Sequence, residues 1–523
     1  MDLNYILEWF VGVTSVAGLV RILRSPTHGR TGWIVTFSID LAILVAGFIF
    51  FPIASGYAAA AFWCVFVLGP SLVFRIVQRA VFRQQFEIAR KAAMVARVLH
   101  PADGLREYPE LLRSFELGRQ GRFEEAEQVL MRYESKPGWI GNTAGLYVKR
   151  LRGDWDAIRE WCGRLPEASL IRSVDALTLY LRSLGETGQL NEMVQSFGKY
   201  RKTLARLPRS MRDLARLYVY SFSGKTDLVE RLFTGSLRLY PRDIRELWLG
   251  TSQLAAGNED EGRRRLEQLR SEGDPLTRTA VDRRLAQPPR QASRELIPPS
   301  VKILEDDLQA FEHEERFDAA SRPAGRTAIT YALIAVCAIV FAAETMLGGA
   351  TDGRTLWRMG AMMPSLVLQG EWWRILAAQF LHYGWIHLVM NMLALYLLGP
   401  FVERELGKFR YLLVYLLSGA GAMMTIIALT RYGILQDDFV VGASGSILGL
   451  IGASAAILLQ GWVRHRAAVA RRRLISIGLI LLLQALFDLT TPQISFTAHL
   501  SGAVFGFLIA AMMIRNAGDP AAR

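Results

Sequence analysis

The chain runs to 523 residues, of which 51% are hydrophobic and 21% charged, and its 61 Lys and Arg against 48 acids give a formal net charge of +13. That length exceeds the roughly 100–200 residues of a single domain, and so apolar a composition beside so many charges excludes a wholly soluble chain: the apolar residues must be segregated into membrane segments. The basic excess sits at the ends of apolar runs and in a polar middle, where anionic lipid headgroups and the positive-inside rule account for it without a nucleic-acid partner.

Apolar runs long enough to span a bilayer, about 17–25 residues, fall near 6–23, 33–51 and 57–77. The first lacks a basic leading region and an A-x-A-like cleavage site, so it reads as a retained anchor. Residues 1–78 are thus expected to form a three-span membrane segment, and 79–100 a basic helix leaving it. Over 101–290 glycines recur at Gly121, Gly153, Gly188, Gly224 and Gly257, spaced 32, 35, 36 and 33 residues apart, each just ahead of a second-helix pattern such as RFEEAEQVL or NEDEGRRRLEQL. The period resembles that of the tetratricopeptide repeat, nominally about 34 residues. It predicts soluble helix pairs that stack on their neighbours and leave a concave surface for a cytosolic protein partner. Residues 291–326, with Pro298, Pro299, Pro323 and the acidic run from Glu305 to Glu315, read as a linker with one short helix.

Six further runs follow, near 327–347, 380–401, 410–429, 443–461, 473–489 and 495–514, within a second membrane block expected over 327–515. Arg21, Arg24 and Arg30, the stretch from Arg75 to Lys91, Arg322 and Arg326, Arg404 with Lys408, and Arg464, Arg466, Arg471, Arg472 and Arg473 mark cytosolic ends. Loops near 52–57 and 490–494 carry no Lys or Arg and read as external. This alternation holds through nine spans, with the N-terminus outside and the repeats and C-terminus inside. The three cysteines, Cys64, Cys162 and Cys337, form no C-x-x-C pair, so neither a disulfide framework nor a zinc site is implied.

Ionisable residues are costly in hydrocarbon and default to functional candidates. In the second block these include His382, His387, Asn391, Ser444, Asp488 and His499. The second, fourth and sixth spans run from outside to inside, which puts His387 about two turns into one, Ser444 at the start of the next and His499 about one turn into the last, all in one outer layer. Ser444 opens a helix behind Gly442, where unpaired backbone N–H groups favour an oxyanion. Gly445, Gly449 and Gly452 on that helix, and Gly502 and Gly506 on the last, give small-residue faces that let backbones close up. Such an approach brings Ser444 to His499, and a serine hydroxyl becomes an effective nucleophile when an adjacent base takes its proton. His387 and Asn391, four residues apart on one helix face, can serve as oxyanion donors. Each element has a plainer reading: small residues are common in membrane helices, and a lone membrane histidine is more often an interhelical hydrogen bond. Asp488 is the nearest candidate for a third member beside Ser444 and His499, but it lies on a different span and reads as a polar cap near the helix end; Glu403 reads as a helix-end contact with Arg404 or Lys408, and Asp40 in the second N-terminal span reads as an interhelical hydrogen bond.

The run Trp373-Arg374, His382, His387-Leu388-Val389-Met390-Asn391, Glu403-Arg404-Glu405-Leu406-Gly407, Gly442-Ala443-Ser444-Gly445 and Ala498-His499-Leu500-Ser501-Gly502 resembles the rhomboid intramembrane serine proteases in order and spacing. The resemblance implies an outward-opening Ser–His dyad with Ser444 as nucleophile, His499 as base, and His387, Asn391 and the Ser444 N–H serving the oxyanion. It also implies a fold-holding loop carrying Arg374, and substrates with helix-weakening residues and a small side chain at the cut. The expected fold is all-α and polytopic: a six-helix bundle, three N-terminal spans and a helical repeat domain. The expected function is an intramembrane serine endopeptidase of a transmembrane protein substrate, in a lipid bilayer, by inference the bacterial inner membrane, and with no cofactor or metal. The rival is a non-proteolytic adaptor of the same fold that binds membrane proteins; a transporter is disfavoured for want of paired broken helices or an acidic ion relay.

Overall fold

The computed structural model describes residues 2–23, 30–136, 139–317, 327–465, 468–491 and 494–516; Arg24, Arg322, Pro323, Arg326 and Arg466 lie outside them. The described residues are helical apart from loops and one isolated antiparallel bridge, Met362 to Val440. Nine helices among them are long and apolar enough to cross a membrane. The chain divides into two compact units, Asp2–Leu308 and Gln309–Arg523.

The first unit begins with α1 (Leu3–Leu23), α2 (Thr31–Phe50), α3 (Ser55–Trp63) and α4 (Gly69–Phe82). A π-helical turn over Cys64–Leu68 joins the last two into one span ahead of Pro70, whose missing N–H would break an α-helical ladder there. Polar groups inside this bundle find partners across helices. Ser15 Oγ donates to Asp40 Oδ2 at 2.5 Å, the interhelical bond expected for Asp40, and Asn4 accepts from Gly56 N–H and donates to the Pro52 carbonyl.

The basic segment doubles back on the helix before it. Gln84 adopts φ +57°, and α5 (Phe86–Leu99) turns back along α4 to bury Ala89, Ala93 and Ala96. Its far end is tied to the start of α2. Asp103 accepts from the Gly32 and Trp33 N–H groups and bonds to His100, whose ring stacks on Trp33 at 4.5 Å. A carboxylate there satisfies unpaired first-turn donors of α2.

Helix pairs follow: α6 (Tyr108–Arg119) with α7 (Phe123–Glu134), α8 (Trp139–Arg152) with α9 (Trp155–Arg164), and, after the short α10 (Glu167–Arg172), α11 (Val174–Glu186) with α12 (Leu190–Lys199). Beyond α13 (Arg201–Leu204) come α14 (Arg209–Phe222) with α15 (Thr226–Thr234) and α16 (Arg242–Ala256) with α17 (Glu259–Glu272). All five recurring glycines sit between the helices of a pair at φ +66° to +92°. That left-handed conformation costs an L-residue about 1–2 kcal/mol, which is why glycine returns once per pair.

Beyond the pairs, α18 (Pro275–Ala286), α19 (Ala292–Glu295) and α20 (Pro298–Phe317) run back over the array. Arg119 of α6 pairs with Asp274 and Asp243, Arg284 of α18 with Glu186 of α11, and Asp307 of α20 with Arg216 and Tyr220 of α14. The stretch read as a linker therefore holds a 20-residue helix, and much of the surface expected to be free carries the chain's own residues.

The second unit holds α21 (Ala328–Leu347), the loop helices α22 (Gly353–Met359), α23 (Pro364–Leu368) and α24 (Arg374–Ala377), then α25 (Trp385–Leu406), α26 (Lys408–Arg431), α27 (Ser444–His465), α28 (Ala468–Thr490) and α29 (Phe496–Asn516). The α27 span is 72% buried and that of α28 only 6%, so α27 is the central helix and α28 a peripheral one. Glycines allow this centring. A side chain on Gly502 or Gly506 would collide with the backbone of Gly445 or Gly449, and one on Gly452 with Ala503, so α27 and α29 meet backbone to backbone.

Glu403 departs from its expected contacts. It is buried and accepts from the Ile329 and Thr330 N–H groups and from Thr330 Oγ1, capping the start of α21, whose unpaired N–H groups carry partial positive charge.

Candidate active site

Ser444 is the first residue of α27, and the backbone leading to it is held on two sides. Val440 exchanges both backbone hydrogen bonds with Met362, and Gly442 N–H donates to the Ala378 carbonyl at 2.8 Å. Gly442 has φ +127°, and a side chain on it would strike the His387 ring, its Cβ lying 2.9 Å from His387 Nε2 and 3.7 Å from Ser444 Oγ. Glycine is required there for conformation and for space alike. The Ala361–Met362 and Ala378 strips are fixed in turn by buried Arg374, which donates to the Trp357 and Ala361 carbonyls and to Glu371 and lies over the Trp373 and Trp357 rings. Arg374 thus braces the loop, as its resemblance implies.

His387 lies in the first turn of α25, not two turns in, because the helix begins at Trp385 after Gly384 at φ +82°. Its Nδ1 accepts from the Tyr383 N–H at 3.3 Å, which leaves the ring proton on Nε2, the nitrogen beside Gly442 and Ser444. One turn on, Asn391 is buried, and its amide nitrogen has no acceptor among the described residues. A buried unpaired donor costs about 1–3 kcal/mol, a cost that an incoming anionic oxygen would remove.

His382 precedes α25 instead of lying within a span. Its backbone N–H donates to Glu344, its Nδ1 faces the Phe380 carbonyl, and its ring meets His387 edge to face at 5.3 Å. That is a supporting position behind His387. Ser446, two residues beyond Ser444, donates to Gln379 at 3.0 Å, a buried bond between α27 and the loop that sequence patterning did not single out.

His499 occupies the first turn of α29, with Gly502 against Gly445 directly below it. The helices of Ser444 and His499 are thus in backbone contact at the level of the two residues. Among the described residues no hydrogen bond joins the Ser444 and His499 side chains. The partner His499 does have is Asp488: its Nδ1 lies 2.7 Å from Asp488 Oδ2, and Gln484 donates to Asp488 Oδ1 at 2.7 Å. Asp488 therefore does not use its carboxylate as a helix-end cap. An apolar cleft of about 270 Å³ opens beside this pair, walled by Leu448, Gly452, Leu481, Ala503 and Phe507 of α27, α28 and α29. Among the described residues no group of three or more His, Cys, Asp or Glu is arranged to hold a metal.

Known proteins align with this part of the chain. Residues 369–516 match the Rhomboid domain. Rhomboid protease GluP of Bacillus subtilis is 34% identical over 202 residues, covering 39% of this chain and 38% of that protein. RHOMBOID-like protein 6, mitochondrial, of Arabidopsis thaliana is 36% identical over 161 residues, 31% of this chain and 50% of that protein. Rhomboid protease AarA of Providencia stuartii is 30% identical over 202 residues, 35% of this chain but 72% of that protein. The chain thus spans half or less of the length of the first two relatives and most of the third. With nine candidate spans, a serine-led central helix and this coverage, the chain is an integral membrane protein and belongs to the rhomboid family.

Proposed function

We propose that the protein is an intramembrane serine endopeptidase that cleaves a peptide bond in or beside a substrate's transmembrane segment. The observation that carries the reading is the packing of α25 and α29 around the head of α27: Ser444, His387, Asn391 and His499 lie in the first two turns of these helices, with His387 Nε2 beside Gly442 and Gly502 against Gly445. Ser444 Oγ attacks the substrate carbonyl carbon while its proton passes to His499 Nε2. The resulting oxyanion is held by the Ser444 N–H, His387 Nε2–H and Asn391 Nδ2–H. The protonated His499 then gives its proton to the leaving amine, and water, deprotonated by the same histidine, releases the acyl group from Ser444. A substrate helix must unwind locally to present its carbonyl, so helix-weakening residues and a small side chain mark the cut.

We further read the array as tetratricopeptide-like and cytosolic, on the opposite side of the membrane from the dyad by the distribution of Lys and Arg. A protein partner would use whatever surface α18 to α20 leave free. The named proteases of Bacillus and Providencia support the protease reading over an adaptor.

The test is cleavage of a tagged single-span reporter co-expressed with the chain. Ser444→Ala is expected to remove the product, and a fluorophosphonate probe to label the wild type and not that variant. Unchanged product from Ser444→Ala would sink the protease reading in favour of an adaptor. Asn391→Ala is expected to lower kcat about 10²-fold, the usual effect of one lost oxyanion donor, with KM little changed.

A further inference from the structure

We infer that Asp488 is a positioning residue for His499, setting its tautomer and stabilising the imidazolium that forms during reaction, so that the Ser444–His499 dyad works with a histidine held by a carboxylate. The inference rests on the Ser444–His499 reading above and adds to it a residue on another span.

The geometry is specific. Asp488 lies in the last turn of α28 and His499 in the first turn of α29, and the short connector between them brings the two side chains to 2.7 Å. The contact is made through Nδ1, so Nδ1–H donates to the carboxylate and the lone pair is left on Nε2, the nitrogen needed to take a proton from Ser444. The side chain of Asp488 is only 1% exposed and that of His499 9%. Burying a carboxylate is costly unless its oxygens are engaged, and both are, Oδ2 by His499 and Oδ1 by Gln484 one turn earlier. A helix-end role is already filled by the backbone, since the Asp488 carbonyl accepts from the Thr491 N–H. The carboxylate is therefore not needed as a cap, and its aim at the ring nitrogen that is not used in proton transfer is what a histidine-orienting group requires.

The charged and titratable groups that bear on His499 can be named. Asp488 comes from α28 and His387 from α25; α27 contributes Ser444 and no ionisable residue before Arg464; α26 carries Arg431 at its outer end, exposed to solvent. Asp488 is the one that touches the ring.

The experiment uses the full chain in proteoliposomes with the single-span reporter and follows kcat, KM and the pH dependence of kcat/KM. Removing the negative charge makes imidazolium harder to form. Asp488→Asn is thus expected to lower kcat at neutral pH by about 10- to 1000-fold, less than loss of the nucleophile, and to move the acid limb of the pH profile to lower pH, with KM within about twofold. Asp488→Glu should return the limb toward its original place. Gln484→Met, which removes the donor on Oδ1 and leaves the carboxylate's charge to His499, should move the limb the other way. A purely structural contact would move neither limb. Wild-type kcat and an unshifted limb in Asp488→Asn, with Ser444→Ala inactive, would overturn this inference and leave the protease reading intact. Cleavage surviving Ser444→Ala would remove both. Should Asp488→Asn fail to fold, an unmoved acid limb in Gln484→Met overturns the proposal alone.

Discussion

The helical array and the rhomboid bundle both rely on glycine at regular intervals, but for different properties of the residue. In the array, Gly121, Gly153, Gly188, Gly224 and Gly257 lie outside the helices at φ +66° to +92°, once per helix pair. In the bundle, Gly445, Gly449, Gly452, Gly502 and Gly506 lie inside α27 and α29 at ordinary helical geometry, three or four residues apart. The first set is chosen for backbone freedom, the second for absence of volume. A side chain added to the array therefore strains one turn, whereas one added to the bundle shifts a helix that carries a candidate site residue.

The largest expected effect follows from that difference. A Cβ on Gly506 would lie 2.5 Å from both the Gly449 Cα and carbonyl carbon, which are backbone atoms and cannot rotate aside. Gly506→Leu must push α29 off α27 and carry His499 away from Ser444. Since a misplacement of about 1 Å can cost roughly 100-fold in rate, reporter cleavage should fall at least that far while hydrogen exchange across α6 to α17 stays as in the wild type. Cleavage within tenfold of wild type would mean that close contact of these helices is not what sets the dyad.

Gly224→Ala should come next, and should do the reverse. Gly224 combines φ +66° with a blocked position, its Cβ 2.8 Å from the Ala256 nitrogen and Cα. The left-handed penalty of about 1–2 kcal/mol and an overpacking penalty of about 1–3 kcal/mol together predict a loss of about 3 kcal/mol in the array. Hydrogen exchange of α14 to α17 in the full chain would register it as faster exchange.

Much of this was legible in the sequence because it is periodic. Nine apolar runs, five glycines near a repeat of 34 and the ordered string from Trp373 to Gly502 each follow from local pattern. What escaped depends on pairing between elements. Asp488 and His499 stand on different spans, which seemed to separate them, yet the last turn of one helix and the first of the next are neighbours when the connector is short. Glu403 sits beside Arg404 and near Lys408 in sequence but points to the start of α21, 73 residues away. Gln84 turns the chain back between α4 and α5 without glycine, so nothing in composition marks the reversal. Pro298 and Pro299 read as breakers, but proline is tolerated in the first turn of a helix, where its missing N–H has no partner to lose, and they open α20. Of the candidate site, Ser444, His499, His387 and Asn391 stand out by order and spacing, whereas the bonds of Asp488 to His499, Gln379 to Ser446 and Glu344 to the His382 N–H were not readable, since each is a contact between elements.

The smallest effect isolates the array's half of the comparison. Gly188 has φ +75°, within 10° of Gly224, but no atom lies within 4 Å of where its Cβ would be. Gly188→Ala therefore incurs the left-handed penalty alone, about 1–2 kcal/mol, partly offset because alanine also narrows the unfolded ensemble. Exchange of α11 and α12 in the full chain should quicken less than that of α14 to α17 in Gly224→Ala, and reporter cleavage should not change. Equal losses at the two positions would show that the dihedral angle alone governs these turns and that the contact of Gly224 with Ala256 contributes nothing.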